Sequence, residues 1–107
     1  MSVATVTQDT FQKEVLDHKG YAFVDFYAEW CAPCKVTEPI VHELADEMKD
    51  MKFFKVDVDR DPNIGAQYSV FSIPTFVILK DGKPVSSFVG AMGKEGFIDE
   101  IKKAKGA

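Results

Sequence analysis

The sequence lacks any long apolar run and any recognisable export signal. No segment approaches the roughly 20 consecutive apolar residues that span a bilayer, and residues 1–11 contain no basic stretch followed by an apolar one. Internal repeats, low-complexity tracts and linker-like stretches rich in Gly, Ser and Pro are missing as well. We therefore expect one domain over residues 1–107, located in the cytoplasm and without membrane contact.

Clusters of basic residues are also missing. The 13 Lys and Arg residues are scattered along the chain, and the 17 Asp and Glu residues bring the formal net charge to -4. Proteins that bind nucleic acid usually gather positive charge on one face. Nucleic acid is therefore not an expected partner.

Cysteine and histidine are scarce, with two residues of each type. In the reducing cytosol a cysteine pair rarely forms a permanent disulfide. A structural zinc site needs four ligands, and His18 and His42 show no ligand spacing with the cysteines. A structural disulfide and half of a zinc site remain alternatives, but catalysis is the favoured interpretation, with no metal expected.

Hydrophobic periodicity predicts alternating strands and helices. The first elements are a strand near Val3 to Val6, a helix over Thr7 to Leu16 and a buried strand from Tyr21 to Ala28. A long amphipathic helix is predicted next: it begins near Cys34, is kinked by Pro39 and carries the apolar residues Ile40, Val41, Leu44, Ala45 and Met48. It is followed by a strand from Phe53 to Val58 and by a short helix that Asp61 caps and Pro62 begins. The last predicted elements are strands from Thr75 to Leu79 and from Pro84 to Val89, joined by a turn at Asp81-Gly82, and a final helix with Phe97, Ile98 and Ile101. This order predicts an α/β fold in which a central mixed sheet has parallel core strands, an antiparallel C-terminal hairpin and helices on both faces.

The cysteine pair Cys31 and Cys34 falls where the central strand gives way to the long helix. Two intervening residues place both sulfurs on the first helical turn, close enough to form a small disulfide ring. The free amides and the dipole of that turn favour a negative sulfur and should lower the pKa of Cys31, the expected nucleophile. Cys34 lies one turn inward, so we expect it to be less exposed and to act as the resolving cysteine.

Asp25 is the only charged residue in the apolar strand before the cysteines. Burial of a carboxylate costs hydration, so its pKa should rise toward neutrality, which suits a proton acceptor. The alternative is an ordinary aspartate that faces solvent at a strand end. Lys55 on the neighbouring strand is either a supporting partner of Asp25 or a plain surface lysine.

Several segments in register resemble the thioredoxin family over essentially the whole chain. Residues 25–35 (DFYAEWCAPCK) resemble the active-site segment of the family, and residues 70–75 (VFSIPT) resemble its loop with a cis proline. Further matches are Pro39 in the long helix, Lys55, Asp57 and Asp59 in and after the next strand, Gly82 in the hairpin turn, and Gly90-Ala91 in the late loop. The resemblance identifies the chain as a single thioredoxin domain over residues 1–107.

The resemblance also implies functional roles. It makes Asp25 the group that deprotonates Cys34, and it places a cis Ile73–Pro74 bond opposite the cysteines, although the sequence alone favours a trans bond. Residues between the cysteines tune the redox potential, which assigns that role to Ala32 and Pro33. Residues that bind substrate around the cysteines would be Trp30, Val70, Ile73, Pro74, Gly90 and Ala91.

The implied activity is reduction of protein disulfides through a Cys31/Cys34 dithiol cycle with a mixed-disulfide intermediate. The electron donor would be a thioredoxin reductase that uses NADPH and FAD, or a ferredoxin-dependent reductase as in some family members. No bound cofactor is implied, and we expect the protein to be mostly monomeric.

The chain departs from the family pattern at a few positions. Ala32 stands where most members have glycine, Tyr27 where many have tryptophan, and Phe71-Ser72 where bacterial members often have arginine and glycine. None of these changes removes a reacting group.

Two alternative functions remain open. A disulfide oxidase or isomerase would act in an oxidising compartment, but the sequence has no export signal and no histidine between the cysteines. A binding module could instead act as a subunit of a larger assembly. A Cys31→Ser/Cys34→Ser double variant that kept its biological activity would favour the binding module.

Overall fold

The computed structural model describes residues 3–106, in which five strands form one mixed sheet with helices on both faces. The order of the strands across the sheet is β1-β3-β2-β4-β5. The elements are β1 (Val3–Thr5), α1 (Gln8–Phe11) continued by a π-helical segment (Gln12–Leu16), β2 (Tyr21–Tyr27), α2 (Ala32–Glu47), β3 (Met51–Asp57), α3 (Pro62–Gln67), β4 (Thr75–Lys80), β5 (Lys83–Val89) and α4 (Lys94–Gly106). The expected α/β class and mixed sheet are confirmed.

Strand β2 lies at the centre of the sheet. It pairs parallel with β3 and antiparallel with β4, so both of its edges are hydrogen-bonded. Phe23, Val24 and Phe26 are fully buried because helices cover both faces. This explains why the strand is an almost continuous apolar run instead of an alternating one.

The sheet separates two hydrophobic cores. The core on one face contains residues of α2 and α4, including Leu44 and Phe97. The other core contains residues of α1, the π-helical segment and α3, including Phe11, Val15 and Ile64. Each helix therefore buries its apolar side against the sheet, as its amphipathic pattern predicts.

The connection from β3 to β4 brings the C-terminal hairpin to the sheet. It contains the short helix α3 and begins and ends at the same end of the sheet, because β3 runs parallel to β2 and β4 runs antiparallel to it. Residues after β2, residues after β3 and residues before β4 meet at this end.

Some predicted details differ from the structure. The first helix is an α-helix only to Phe11, and beyond it the N–H of Asp17 donates to the carbonyl of Gln12, five residues back. Asp61 occupies the N-cap position of α3, but its Oδ1 accepts the distant N–H of Gln8 at 3.0 Å instead of capping its own helix. Pro39 lies within α2, and the kink there stays a prediction.

Candidate active site

Cys31 and Cys34 form a disulfide at the start of α2. Cys31 is the N-cap residue in an extended conformation, and its Sγ accepts the N–H of Cys34 at 3.2 Å. The two Cα atoms are 5.3 Å apart, within the normal range for a disulfide. Because the first amides of a helix have no helical acceptor, they stabilise negative charge on the Cys31 sulfur when the disulfide is reduced.

The two cysteines differ in the cavity that each one lines, not in their exposure. Cys31 is 3% exposed and Cys34 is 4% exposed, so the prediction that Cys34 would be the less exposed residue is wrong. Cys31 lines an apolar surface groove, whereas Cys34 lines a polar cavity that contains Asp25. The physical reason is that Cys31 precedes α2 in an extended conformation, whereas Cys34 lies within the first turn of the helix.

The groove beside Cys31 has a volume of about 510 Å³. Its largest exposed side chains are Trp30, which is 71% exposed, and Phe71, which is 90% exposed. The indole Nε1 of Trp30 donates to Asp59 Oδ2 at 2.6 Å, which fixes the ring at the edge of the groove. The full lining is Trp30, Cys31, Ala32, Pro33, Val58, Val70, Phe71, Ser72 and Ile73.

The loop before β4 lies at the same end of the sheet. The Ile73–Pro74 peptide bond is cis, as the family resemblance implies. Pro74 is buried, and its carbonyl accepts the N–H of Gly90 at 2.8 Å. Ile73 lines the groove, but Pro74, Gly90 and Ala91 do not, so the structure brings only part of the expected substrate-binding set into one groove.

The cavity beside Cys34 has a volume of about 400 Å³ and contains the Asp25 carboxyl group. Asp25 is buried, and its Oδ1 has no hydrogen-bond partner among residues 3–106. The pKa of Asp25 is raised from 3.8 to about 7: burial is the largest cause, the negative charge of Glu38 adds to it, and the positive charge of Lys55 opposes both. The expected rise in the pKa of Asp25 is therefore confirmed.

Lys55 is positioned by Tyr27 and by Glu38, a residue that the sequence analysis did not single out. It is the register partner of Asp25, but its Nζ lies 3.9 Å from Glu38 Oε2 and 5.4 Å from the centre of the Tyr27 ring. The ammonium group is thus paired with Glu38 and acts on Asp25 only through its field. Glu38 follows Cys34 by four residues in α2, and this helical spacing could have indicated that both line one cavity.

Within the part of the chain that the structure describes, no group of three or more His, Cys, Asp or Glu side chains is arranged to hold a metal ion. His18 instead hydrogen-bonds through its Nε2 to the carbonyl of Tyr21 at 3.2 Å. Over residues 3–106, no helix is both long and apolar enough to cross a membrane.

A disulfide at a helix start, with an apolar groove on one side and a buried carboxyl group on the other, defines a dithiol-disulfide oxidoreductase. Comparison with known proteins agrees with this class. The family model described as Thioredoxin matches residues 2–103. The chain belongs to the thioredoxin family.

Similar proteins match the chain over almost its whole length. It is 43% identical to Thioredoxin 1 of Synechococcus elongatus over 96% of this chain and 98% of that protein. It is 40% identical to the Thioredoxin of Rickettsia felis over 92% and 95% of the two chains. It is 38% identical to the chloroplastic M-type Thioredoxin of Chlamydomonas reinhardtii over 92% of this chain and 71% of that protein. Family membership makes the chain a thiol-disulfide oxidoreductase whose redox centre is its own disulfide, without a bound cofactor.

Proposed function

We propose that this single-domain protein reduces disulfide bonds of other proteins, with Cys31 as nucleophile and Cys34 as resolving cysteine. The observation that carries the proposal is that the two cysteines line different cavities. Cys31 lines the apolar groove, and Cys34 lines the cavity of Asp25. A substrate that docks in the groove meets Cys31 first. The sulfur that must later lose a proton shares a cavity with a proton acceptor.

The reaction is a two-step exchange of disulfide bonds. The Cys31 thiolate attacks one sulfur of the substrate disulfide, forms a mixed disulfide and releases the other substrate sulfur as a thiolate. Cys34 then loses its proton and attacks the Sγ of Cys31. The Cys31–Cys34 disulfide forms, the second substrate sulfur leaves, and two electrons have passed from the protein to the substrate.

Asp25 takes the proton of Cys34 in the second step. A base is most effective when its pKa is near the working pH, and the pKa of Asp25 is about 7. A surface aspartate with its usual pKa would be a much weaker base. Lys55 supports this role by limiting how far burial raises the pKa of Asp25.

Substrate binding is assigned to the residues around the groove. Trp30 and Ile73 offer apolar contacts beside Cys31, and the backbone near Pro74 offers groups with which an extended substrate segment could pair as an added strand. Gly90 is tied to Pro74 by a hydrogen bond, and Ala91 follows it. Ala32 and Pro33 lie between the sulfurs and tune the redox potential.

The oxidised protein needs an electron donor, which we propose is a thioredoxin reductase that uses NADPH and FAD. The alternative is a ferredoxin-dependent reductase, which the similarity to a chloroplastic relative makes worth testing. We further propose that the protein acts in the cytoplasm, mostly as a monomer. Its partners are the reductase and proteins with disulfides, not nucleic acids or membranes.

Reduction of insulin disulfides tests both the reaction and the donor. With NADPH and a purified thioredoxin reductase, we expect NADPH oxidation that requires the protein and is lost in Cys31→Ser and in Cys34→Ser. Glu43→Gln, on the outer side of α2, serves as the active control. A parallel assay with dithiothreitol as donor separates the two claims. Activity only with dithiothreitol would reject the NADPH-dependent donor, and no activity in either assay would reject the reductase function.

A further inference from the structure

The polar cavity is lined by two carboxylates that the reaction described above does not use, Glu29 and Glu38, and of these Glu38 forms an ion pair inside the cavity lining. Glu38 lies one helical turn after Cys34 and lines the same cavity as Asp25 and Cys34. Its Oε2 is 3.9 Å from the Nζ of Lys55, which is the only ion pair of Lys55 among residues 3–106. The register partner of Lys55 in the sheet is nevertheless Asp25.

We propose that Glu38 is a positioning residue for the resolving step, because it holds the Lys55 ammonium group and so leaves Asp25, which lines the cavity of Cys34, without an ion pair among residues 3–106. This inference rests on the proposed role of Asp25 as proton acceptor. It adds a second carboxylate whose charge determines the pH range in which Asp25 can act.

The positions of the charges support this role. Lys55 could form an ion pair with either carboxylate, since β3 places it beside Asp25 and α2 places Glu38 above it. The ammonium lies with Glu38 and over the Tyr27 ring, whereas Asp25 Oδ1 has no partner among the described residues. A direct ion pair with Lys55 would stabilise the Asp25 carboxylate and weaken it as a base.

Every charged or titratable group that faces Asp25 in this cavity can be named. They are Tyr27 on β2, Glu29 after β2, Cys34, Lys35 and Glu38 on α2, and Lys55 on β3, and the strand β4 contributes the apolar Phe76 as register partner. Glu38 and Lys55 act most strongly on Asp25 by their charge. Glu38 favours the protonated carboxyl group, and Lys55 favours the carboxylate.

Loss of the Glu38 charge should therefore shift the titration of Asp25 in one direction, to lower pH. The direct repulsion of the Asp25 carboxylate disappears, and Lys55 is released to approach Asp25. Both changes favour ionised Asp25. The pH at which Asp25 titrates, and with it the midpoint of the resolving step, should fall by about 0.3 to 1 pH unit in Glu38→Gln, the range typical of a partly solvated neighbouring charge.

The experiment follows the resolving step separately from the attack. Reduced protein is mixed with excess Ellman's reagent, which releases one coloured thiolate when Cys31 attacks and a second one when Cys34 resolves the mixed disulfide. The rate of the second release is measured from about pH 5 to pH 9, a range that spans the titration of Asp25. The carboxyl carbon of Asp25 is titrated by NMR in the oxidised protein.

Four variants make the result decisive. Glu43→Gln is the matched control, because Glu43 lies on the same helix, is 55% exposed against 52% for Glu38 in its side chain, and also pairs with one lysine. We expect both midpoints to fall in Glu38→Gln, to stay unchanged in Glu43→Gln and to recover in Glu38→Asp, which keeps the charge. Asp25→Asn should slow the second release near neutral pH and remove the midpoint that belongs to Asp25, leaving the pH dependence of a thiol that loses its proton to water.

The outcomes distinguish this inference from the proposed function. Unchanged midpoints in Glu38→Gln, with the Asp25 midpoint lost in Asp25→Asn, would reject the role of Glu38 alone. An equal shift in Glu43→Gln would also reject it, since net charge would then be the cause. A wild-type pH profile in Asp25→Asn would reject Asp25 as proton acceptor.

Discussion

At the scale of single residues, Asp25 combines a proposed role in the reaction with a cost in stability. It lies in the central strand, where its neighbours Val24 and Phe26 are fully buried and apolar. The ionised form is disfavoured there, because the carboxylate loses its hydration and Oδ1 finds no hydrogen bond among the described residues. An apolar or neutral residue would fit the strand better, which supports the proposed role of this carboxyl group toward Cys34.

We predict that Asp25→Asn makes the oxidised protein more stable near neutral pH. Because the pKa of Asp25 is raised from 3.8 to about 7, the folded state binds the proton more tightly than the unfolded state. The contribution of protonated Asp25 to the free energy of unfolding is therefore complete below about pH 3.8 and is lost as pH rises to about 7. The gain at neutral pH should be on the order of 2–4 kcal/mol, less the cost of burying the amide. Urea unfolding at a series of pH values measures it.

Asp50→Asn is a control with the opposite sign. The hydrogen bond from Lys105 lowers the pKa of Asp50, so this exposed carboxylate contributes stability above its unfolded pKa and loses it as pH falls. At neutral pH, Asp50→Asn should be slightly less stable than the wild type. If Asp25→Asn were also less stable than the wild type at neutral pH, Asp25 would be a structural residue and not a base whose burial destabilises the fold.

At the scale of elements, the hairpin β4–β5 depends on its two-residue turn. Asp81 and Gly82 both have positive φ angles, of 51° and 80°, which matches the twist of the flanking strands. Gly82 also meets the π-helical segment, because a Cβ at this position would lie 2.3 Å from the carbonyl oxygen of Leu16. The turn therefore contacts the first helical region as well as joining two strands.

We predict that Gly82→Ala destabilises the protein by about 3 kcal/mol or more, because it combines a strained φ angle with a backbone clash. Gly20→Ala is the matched control. Gly20 has a φ angle of 102°, but the nearest atom to its Cβ would be 3.7 Å away. Its cost should be about 1–2 kcal/mol, from the φ angle alone. If urea unfolding gave the same loss of unfolding free energy for both variants, the close approach of Gly82 to Leu16 would contribute nothing to stability.

The elements themselves could be predicted closely from the sequence, because their signals are local. The buried run of β2, the amphipathic pattern of α2 and the Asp81-Gly82 turn all appear where expected. The direction of β4 could not be derived from the alternation of strands and helices alone, since it depends on the end of the sheet to which the connection after β3 returns. The π-helical segment was missed because its pattern of apolar residues resembles that of an α-helix.

At the scale of the whole molecule, the site forms because three chain segments meet at one end of the sheet. The cysteine pair and Asp25 could be predicted, since they are close in sequence and chemically unusual. The pairing of Lys55 with Glu38 could not, because it joins β3 to α2 and depends on which of two carboxylates the ammonium group approaches. The separate cavities of Cys31 and Cys34 likewise depend on loops that are distant in sequence.

The central claim is that Cys31 attacks substrate and Cys34 resolves the mixed disulfide. The most direct test is to incubate each single Cys→Ser variant with oxidised insulin and to detect covalent complexes by mass spectrometry under non-reducing conditions. We predict a stable mixed disulfide through Cys31 in Cys34→Ser, because Cys31 lines the groove and the resolving thiol is missing. Cys31→Ser should capture none, like the double variant. Equal or greater capture through Cys34 in Cys31→Ser would contradict the assignment of the two cysteines.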